Sequence, residues 1–202
     1  MEKSLLDSTR WKTMAEMAAG VAHEIRNPLN SIITSVKLLQ DAGGQTINDE
    51  HIALTGIIRK ETDRLNRIVE DFLRFSRPKP PELRPGEIDK IVNEVVEVIN
   101  KDKNLKQNIK INLDLTADIA RINFDIYQIK QVLWNLVINA IHASGSEGEV
   151  QIKSRIENDA YFLTIRDFGQ GLKPGSTEKI FEPFFSTKKG GTGLGLSIVK
   201  KI

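Results

Sequence analysis

The spacing of apolar residues changes along this chain, and a proline-rich segment marks the change. Before residue 77, apolar residues recur every three or four positions, as they do on one face of a helix. Residues 77–86, RPKPPELRPG, contain four prolines and one glycine, a composition typical of a stiff linker. We therefore predict a helical domain over residues 1–77, a linker over 78–86 and a second domain over 87–202.

Two helices are expected before the linker. The first ends at Gly43-Gly44 and carries the apolar positions Met14, Ala18, Val21, Ile25, Leu29, Ile32, Val36 and Leu39. The second, which Glu61 interrupts once, has on one side Leu54, Ile58, Leu65, Ile68, Phe72 and Phe75. One hairpin cannot bury both apolar faces alone, so we predict that two copies pair into a dimeric four-helix bundle.

The second domain mixes helical and strand patterns. Helices are expected over Glu87–Asn100, from Asp125 onwards and over Leu196–Ile202; Asp125 with Gln128 resembles a capping box. The apolar face of the middle helix is Ile126, Ile129, Leu133, Leu136, Ala140 and Ala143. Alternating residues predict strands over 109–115, 150–156 and 161–165. Such a mixture predicts an α/β sandwich in which one face of the sheet is covered.

Composition excludes several classes of function. The chain of 202 residues has no cysteine, which excludes disulfides, thiolate zinc sites and a cysteine nucleophile. It has only three histidines, so a metal site with several histidine ligands is not expected. A net charge of +2 gives no basic surface for nucleic acid, so none is expected as a partner. No signal peptide or membrane-spanning stretch is predicted, so any membrane contact would come from segments absent from this chain.

The first candidate site is the segment His23-Glu24-Ile25-Arg26-Asn27-Pro28-Leu29. His23 points away from the apolar face, and Asn27, four residues later, shares its side of the helix. An imidazole beside a carboxylate can act as a nucleophile, with Glu24 taking the ring proton. The alternative is an ordinary surface histidine. An irregular apolar spacing and Pro28 at the same place indicate a local distortion, which favours the functional interpretation.

The second candidate is a polar stripe on the helix Gln131–Ser144. Asn135, Asn139 and His142 follow one another at spacings of four and three residues. Amide oxygens suit Mg²⁺, which takes few protein ligands together with phosphates and water. Taken alone, the stripe could equally be a solvent-facing side of the helix.

Two glycine-containing segments complete the candidates. Asp167 continues the alternation of a strand and is followed by Gly169 and Gly171, so its inward carboxylate could bind an adenine amino group. The alternative is a plain Asp-Gly turn. The segment Gly190–Gly195 precedes a helix and could present its amides to phosphate, and Lys188 and Lys189 favour an anion there. It could also be only a flexible loop. Between the two, Phe181–Phe185 indicates either core anchoring or a lid.

In this order the motifs closely resemble those of two-component sensor histidine kinases. AGVAHEIRNPLNSI is similar to the family's phosphoacceptor box, and QVLWNLVINAIHAS is similar to its N box. RDFGQGL, FEPFF and GGTGLGLSIVKKI resemble the first glycine box, the F box and the second glycine box. The short stretch between Gly171 and Phe181 is similar to the short lid of the nitrogen- and metal-stress sensors. The ATP domain of the family is of the GHKL type shared with gyrase and MutL.

The resemblance implies a role for each matching residue. His23 would be phosphorylated, Glu24 would act as the base, and Asn27 would orient phosphate. Asn139 would bind Mg²⁺ with Asn135 in support, and His142 would lie near the phosphates, where many members carry another basic residue. Asp167 would bind adenine. The residues expected to surround the nucleotide are Gly169, Gly171, Lys188, Thr192, Gly193, Leu194 and Gly195.

The resemblance also implies partners and cofactors. ATP and Mg²⁺ are expected, together with a homodimer formed through the helical hairpin. The phosphoryl group would pass to an aspartate on a separate response regulator, and the resemblance also implies phosphatase activity. We expect this chain to act in the cytoplasm. Relatives continue with further strands, so the last strands of the ATP domain are expected to be missing here.

Three rival functions are weighed against this one. A GHKL-type ATPase without phosphohistidine does not account for the acceptor box, and a non-catalytic dimeric scaffold does not account for Asn139, Asp167 and the glycines. Asp167-Phe168-Gly169 suggests a Ser/Thr kinase, but no catalytic-loop motif precedes it.

Overall fold

The computed structural model describes residues 21–22, 24–40, 49–76, 80–102, 109–116, 121–145, 147–158, 160–172, 175–188 and 191–202. The described residues fall into two compact units. The first draws on Met1–Pro78 and Pro183–Leu194, and the second on Lys79–Glu182 and Gly195–Ile202. His23, the Gly43-Gly44 turn, Lys189 and Gly190 lie outside the described residues.

The helical part of the first unit consists of two helices. Helix α1 comprises the helical residues 21–22 and 24–40, and helix α2 covers Asp49–Ser76. The chain remains helical at Pro28, which is buried. Two acidic residues in the first turn of α2, Asp49 and Glu50, suit the positive end of the helix dipole.

The apolar face predicted for α1 is only partly buried. Val21 is buried as expected, but Leu29 and Val36 remain 44% and 38% exposed. Pro28 and Ser35 are buried in their place, so the buried side of α1 follows a seven-residue spacing from Val21. On α2, Ile68 is fully buried, as the predicted face requires.

The second unit contains the α/β elements. They are, in chain order, β1 (Arg84–Glu87), α3 (Ile88–Lys101), β2 (Lys110–Asp114), β3 (Arg121–Phe124), α4 (Ile126–Ser144), β4 (Glu149–Glu157), β5 (Ala160–Asp167), a 3₁₀ turn (Lys179–Phe181) and α5 (Gly195–Lys201). A helical pair followed by an α/β domain is the fold class that the sequence predicts.

Two small sheets organise this unit. Strand β4 is central in the larger sheet, pairing in parallel with β2 and antiparallel with β5. Strands β1 and β3 pair antiparallel in a second sheet of two strands. Neither β1 nor β3 was predicted from the sequence, and β1 begins inside the segment interpreted as a linker. Both strands of a two-stranded sheet are edges, where a residue such as Pro85 is tolerated.

Helices α3 and α4 pack with the larger sheet around one apolar core. Val92 and Ile99 of α3, Leu133 of α4, and Val150 and Ile152 of β4 are almost fully buried in it.

The predicted apolar face of α4 was too narrow. Leu133 and Ala140 are buried as expected, but Val137 and Ile141 are buried as well, while Leu136 and Ala143 are only half-buried. Among the described residues, no helix combines the length and the apolar character needed to cross a bilayer.

Candidate functional site

Glu24 and Asn27 lie on α1, three residues apart. The Glu24 Oε2 atom accepts a hydrogen bond from Nη2 of Arg64 on α2 at 3.2 Å. The Glu24 side chain is one quarter exposed, and Asn27 is exposed. Glu24 is therefore fixed by the second helix, whereas Asn27 faces solvent. His23, the predicted acceptor, lies outside the described residues.

Asp125 fixes the start of α4, the helix that carries the predicted magnesium ligand. Its Oδ1 accepts hydrogen bonds from the backbone N–H groups of Tyr127 and Gln128 at 2.9 and 3.0 Å, which confirms the predicted N-cap. Its Oδ2 accepts from the N–H of Glu82 at 2.8 Å. Backbone hydrogen bonds from Gln128 and Glu82 lower the pKa of Asp125.

The polar stripe of α4 lies beside its buried face. Asn135 and Asn139 are half-buried, whereas His142 is exposed. The Asn135 Nδ2 donates to the backbone carbonyl of Gly195 at 3.3 Å, which links α4 to the beginning of α5. A Cβ atom at Gly195 would lie 3.6 Å from the Asn135 side chain, an ordinary contact. Asn135 thus positions the last glycine of the second glycine box.

Asp167 ends β5 with its side chain on the same side as Leu163 and Ile165, as the alternation predicts. Its Oδ1 accepts a hydrogen bond from the backbone N–H of Gly169 at 3.0 Å. Among the described residues, none donates to Oδ2, so one carboxylate oxygen remains for a ligand. This orientation fits the binding of an amino group.

Glycine is required at position 169 by the packing of the fold. A Cβ atom there would lie 2.0 Å from the carbonyl oxygen of Ala143, near the end of α4. Gly171 has φ +69° with open space around it. The sequence predicted that both glycines let the backbone come close to a nucleotide. At Gly169, however, the backbone comes close to the backbone of α4.

The second glycine loop shows a similar approach, within the first unit. Gly193 has φ +65°, and a Cβ atom there would lie 2.4 Å from the carbonyl carbon of Phe184. The Phe184 N–H donates to the Gly193 carbonyl at 3.1 Å, and Phe184 itself has φ 64°, which is rare for an aromatic residue. The F box thus anchors the glycine loop through its backbone.

Thr192 and Leu194 flank Gly193. The Thr192 hydroxyl donates to Oδ2 of Asp71 on α2 at 3.2 Å and accepts a longer bond from the Leu194 N–H. Leu194 is fully buried. Lys188 is exposed, and its backbone N–H is bonded to the Ser186 hydroxyl.

The predicted residues are divided between the two units. The first unit holds Glu24, Asn27, Lys188, Thr192, Gly193 and Leu194. The second unit holds Asn135, Asn139, His142, Asp167, Gly169, Gly171 and Gly195.

Magnesium would have few protein ligands here. Among the described residues, no group of three or more histidine or acidic side chains could hold a metal ion. A half-buried amide such as that of Asn139 is consistent with Mg²⁺ that takes its remaining ligands from phosphates and water.

Sequence reasoning missed three contributors. Arg64 and Asp71 lie on the half-buried side of α2 and contact predicted site residues, but surface-like charges on a long helix gave no signal. Glu61 did give a signal in the sequence, because it breaks the apolar spacing of α2.

Two family models match the chain. "His Kinase A (phospho-acceptor) domain" matches residues 13–81, and "Histidine kinase-, DNA gyrase B-, and HSP90-like ATPase" matches residues 124–202. Among curated proteins, the sensor histidine kinase ZraS of Salmonella typhimurium is 37% identical over 99% of this chain and 43% of its own length. AtoS of Escherichia coli, a signal transduction histidine-protein kinase, is 32% identical over 100% of this chain and 33% of its own. The chain thus spans less than half the length of these two relatives.

Solved structures give the same assignment. The histidine kinase ThkA, in complex with the response regulator protein TrrA, matches all of this chain and 58% of its own with a TM-score of 0.79 and 31% identity. The ThkA catalytic domain alone is 37% identical over 60% of this chain and 79% of its own, with a TM-score of 0.55. With both domains matched in the expected order, the chain belongs to the two-component sensor histidine kinases.

Proposed function

We propose that the chain is the core of a sensor histidine kinase, which phosphorylates His23 with ATP and passes the phosphoryl group to an aspartate of a separate response regulator. The observation that carries this proposal is the presence of both matched domains in one chain. The first match includes His23, and the second includes Asn139, Asp167 and both glycine boxes. The response regulator bound to ThkA supports the proposed partner.

The boundaries proposed for the parts of this core follow the sequence. The phosphoacceptor hairpin would comprise residues 1–77, the linker 78–86 and the ATP-binding domain 87–202. The exposed apolar residues of α1, such as Leu29 and Val36, support a homodimer formed through the hairpin. With Arg84–Gly86 in strand β1, the free linker would be shorter than its sequence suggests.

ATP would be bound mainly by residues of α4, the end of β5 and the glycine loops. Asp167 accepts the adenine amino group through Oδ2, while Oδ1 is held by Gly169. The amides around Thr192, Gly193, Leu194 and Gly195 contact phosphates, with Lys188 and His142 contributing positive or hydrogen-bonding groups. Asn139 would hold Mg²⁺, and Asn135 would support the glycine loop at Gly195. The bound ion would neutralise charge that develops on the phosphates.

Transfer to His23 is an in-line displacement. A ring nitrogen forms a bond to the γ-phosphorus, the bond between that phosphorus and the bridging oxygen breaks, and ADP leaves with the electron pair. The ring loses its N–H proton to the Glu24 carboxylate, and Asn27 orients the phosphoryl oxygens. Positioning and neutralisation of charge supply most of the rate enhancement.

The test is incubation with Mg²⁺ and ATP labelled at the γ-phosphate, followed by mapping of the label. We expect an acid-labile, base-stable label on His23 that disappears in His23→Gln and persists in His51→Gln, the matched control on α2. Release of phosphate without a protein label would indicate a GHKL-type ATPase instead. No nucleotide binding would indicate a scaffold, and a label on another residue would refute the assignment of His23.

A separate test concerns the nucleotide. Asp167→Asn replaces the acceptor oxygen partly by an amide donor, so competition binding should show reduced discrimination of ATP from GTP. Asn139→Asp should weaken the binding of ATP in the presence of Mg²⁺, and an unchanged affinity would count against the proposed metal role of Asn139. Unchanged nucleotide preference in Asp167→Asn would refute the adenine contact.

A further inference from the structure

Glu61 places a carboxylate on the apolar side of α2. It stands between Ile58 and Leu65 in the apolar spacing, and its side chain is only 18% exposed. Its Oε2 atom is buried and accepts no hydrogen bond from the described residues. A buried acceptor without a full hydrogen bond costs stability, so packing alone does not account for a glutamate at this position.

Arg64 lies between two carboxylates on two helices. Its Nη2 is 3.2 Å from Oε2 of Glu24 on α1, and its Nη1 is 3.7 Å from Oε2 of Glu61 on α2. Its Nε is buried and has no acceptor among the described residues. Arginine stays charged and presents its donors in a rigid plane. The carboxylates of Glu24 and Glu61 therefore both constrain the orientation of the same guanidinium group.

The contact with Glu24 is selective for one oxygen. Arg64 donates to Oε2, and no described residue donates to Oε1 of Glu24. The carboxylate is therefore held from one side while its other oxygen stays available. Glu24 directly follows His23 in the chain, and it is the residue proposed above to take the ring proton.

We propose that Arg64 is a positioning residue, which holds Glu24 so that Oε1 can accept the ring proton of His23, and that Glu61 anchors Arg64. This inference rests on the proposed role of Glu24 as the base. The role of the three residues is to keep the acceptor oxygen in place during transfer, at a cost in stability. A proton acceptor that is misplaced by about 1 Å loses rate by up to about a hundredfold.

Arg64→Gln tests the positioning role in the full chain. We expect the kcat of autophosphorylation to fall about tenfold or more while the KM for ATP stays unchanged, because the residues proposed to bind ATP are elsewhere. Arg64→Lys should recover part of the rate, since it keeps the charge but lacks the planar fork. Arg67→Gln, an exposed arginine on the same helix, is the matched control and should have no effect. An unchanged kcat in Arg64→Gln would overturn the inference.

Glu61→Leu separates positioning from structural support. Replacing a buried charged group by an apolar side chain is often neutral or stabilising, so the melting temperature should stay the same or rise. The kcat should nevertheless fall several-fold, because Arg64 loses its anchor. A kcat that follows the melting temperature, with both unchanged or both lower, would overturn the role of Glu61.

Labelling with phosphoramidate distinguishes this inference from the proposed function. This small phosphoryl donor reacts with histidine without ATP, so the test requires only the hairpin within the full chain. We expect slower labelling of His23 in Arg64→Gln than in wild type and Arg67→Gln. If ATP never labels His23 but phosphoramidate labelling depends on Arg64, the kinase proposal fails and the positioning of Glu24 stands. If ATP labels His23 and Arg64→Gln is as fast as wild type with both donors, only the positioning role fails.

Discussion

The two units of the molecule bury different kinds of side chain. In the second unit, an almost entirely apolar core joins α3, α4 and β4. In the helical unit, Ile68 is fully buried, but the charged Glu61 and Arg64 are largely buried as well. Several large apolar residues of the same helices remain exposed, namely Leu29, Ile33, Val36, Leu38, Ile52, Ile57, Val69 and Leu73.

This difference indicates that the two units are stabilised in different ways. The second unit has one contiguous apolar core built from two helices and a sheet, so we expect its own residues to maintain its fold. The helical pair leaves apolar surface uncovered and holds an ionic cluster of Glu24, Arg64 and Glu61, so we expect its stability to depend on a second copy.

The largest expected effect follows from removing core volume in the second unit. Leu133→Ala should lower the stability of that unit by about 3 kcal/mol, because a cavity is left in a fully packed apolar core. Scanning calorimetry should show one transition that moves and another, from the helical unit, that does not. Val98→Ala, at an exposed position of α3, should change stability by less than about 0.5 kcal/mol. A shift of both transitions in Leu133→Ala would contradict the prediction that this core stabilises the second unit alone.

A substitution on the uncovered face of α1 tests the helical unit. Leu29→Ser should weaken self-association by about 2 kcal/mol per copy, since the leucine would lose contact with its counterpart. Sedimentation over a range of concentrations measures the dissociation constant. Lys37→Ser, also exposed on α1, serves as control. If wild type is a monomer, or if Leu29→Ser dissociates no more readily, the face has another role.

The sequence predicted the elements with long, regular periodicity. Helices α2 to α4 and the hairpin of β4 and β5 are found where the residue patterns placed them, and α5 follows the glycine segment as predicted. The N-cap of α4 was predicted because Asp125 acts locally through the next three residues. Alternation along β5 predicted the inward side of Asp167.

Tertiary contacts account for what the sequence could not predict. Strand β1 has proline and glycine in four residues and exists because β3 pairs with it; a Cβ at Gly86 would meet the Phe124 ring at 2.9 Å. The reason for Gly169 lies with Ala143, which is distant in sequence. Arg64 reaches Glu24 across forty residues. Such contacts depend on packing between elements, which periodicity does not describe.

A smaller effect is expected at the polar edge of the apolar core. The Tyr161 hydroxyl donates a hydrogen bond to Asp89 of α3, and burial together with this bond raises the pKa of Tyr161. Tyr161→Phe should lower stability by about 1 kcal/mol near neutral pH. Since the folded state holds the phenol proton more tightly, the advantage of wild type should shrink as pH rises above about 10. Tyr127→Phe, an exposed position on α4, is the control, and an equal effect there would refute the role of this contact.

The smallest expected effect concerns the N-cap of α4, and it is visible as a pH dependence. Because the pKa of Asp125 is lowered in the folded state, its carboxylate stabilises the second unit above the ordinary carboxyl pKa of about 3.9, and this contribution is lost as pH falls through the lower folded value. Asp125→Asn keeps an oxygen for Tyr127 and Gln128 but cannot accept equally from Glu82, so its melting temperature should lie slightly below that of wild type at pH 7. The two curves should converge in acid, below about pH 4. Asp125→Ala removes the cap and should remain less stable than Asp125→Asn at both pH values. A constant difference between wild type and Asp125→Asn at every pH would mean that the charge of Asp125 does not contribute, and that the cap acts only as a neutral acceptor.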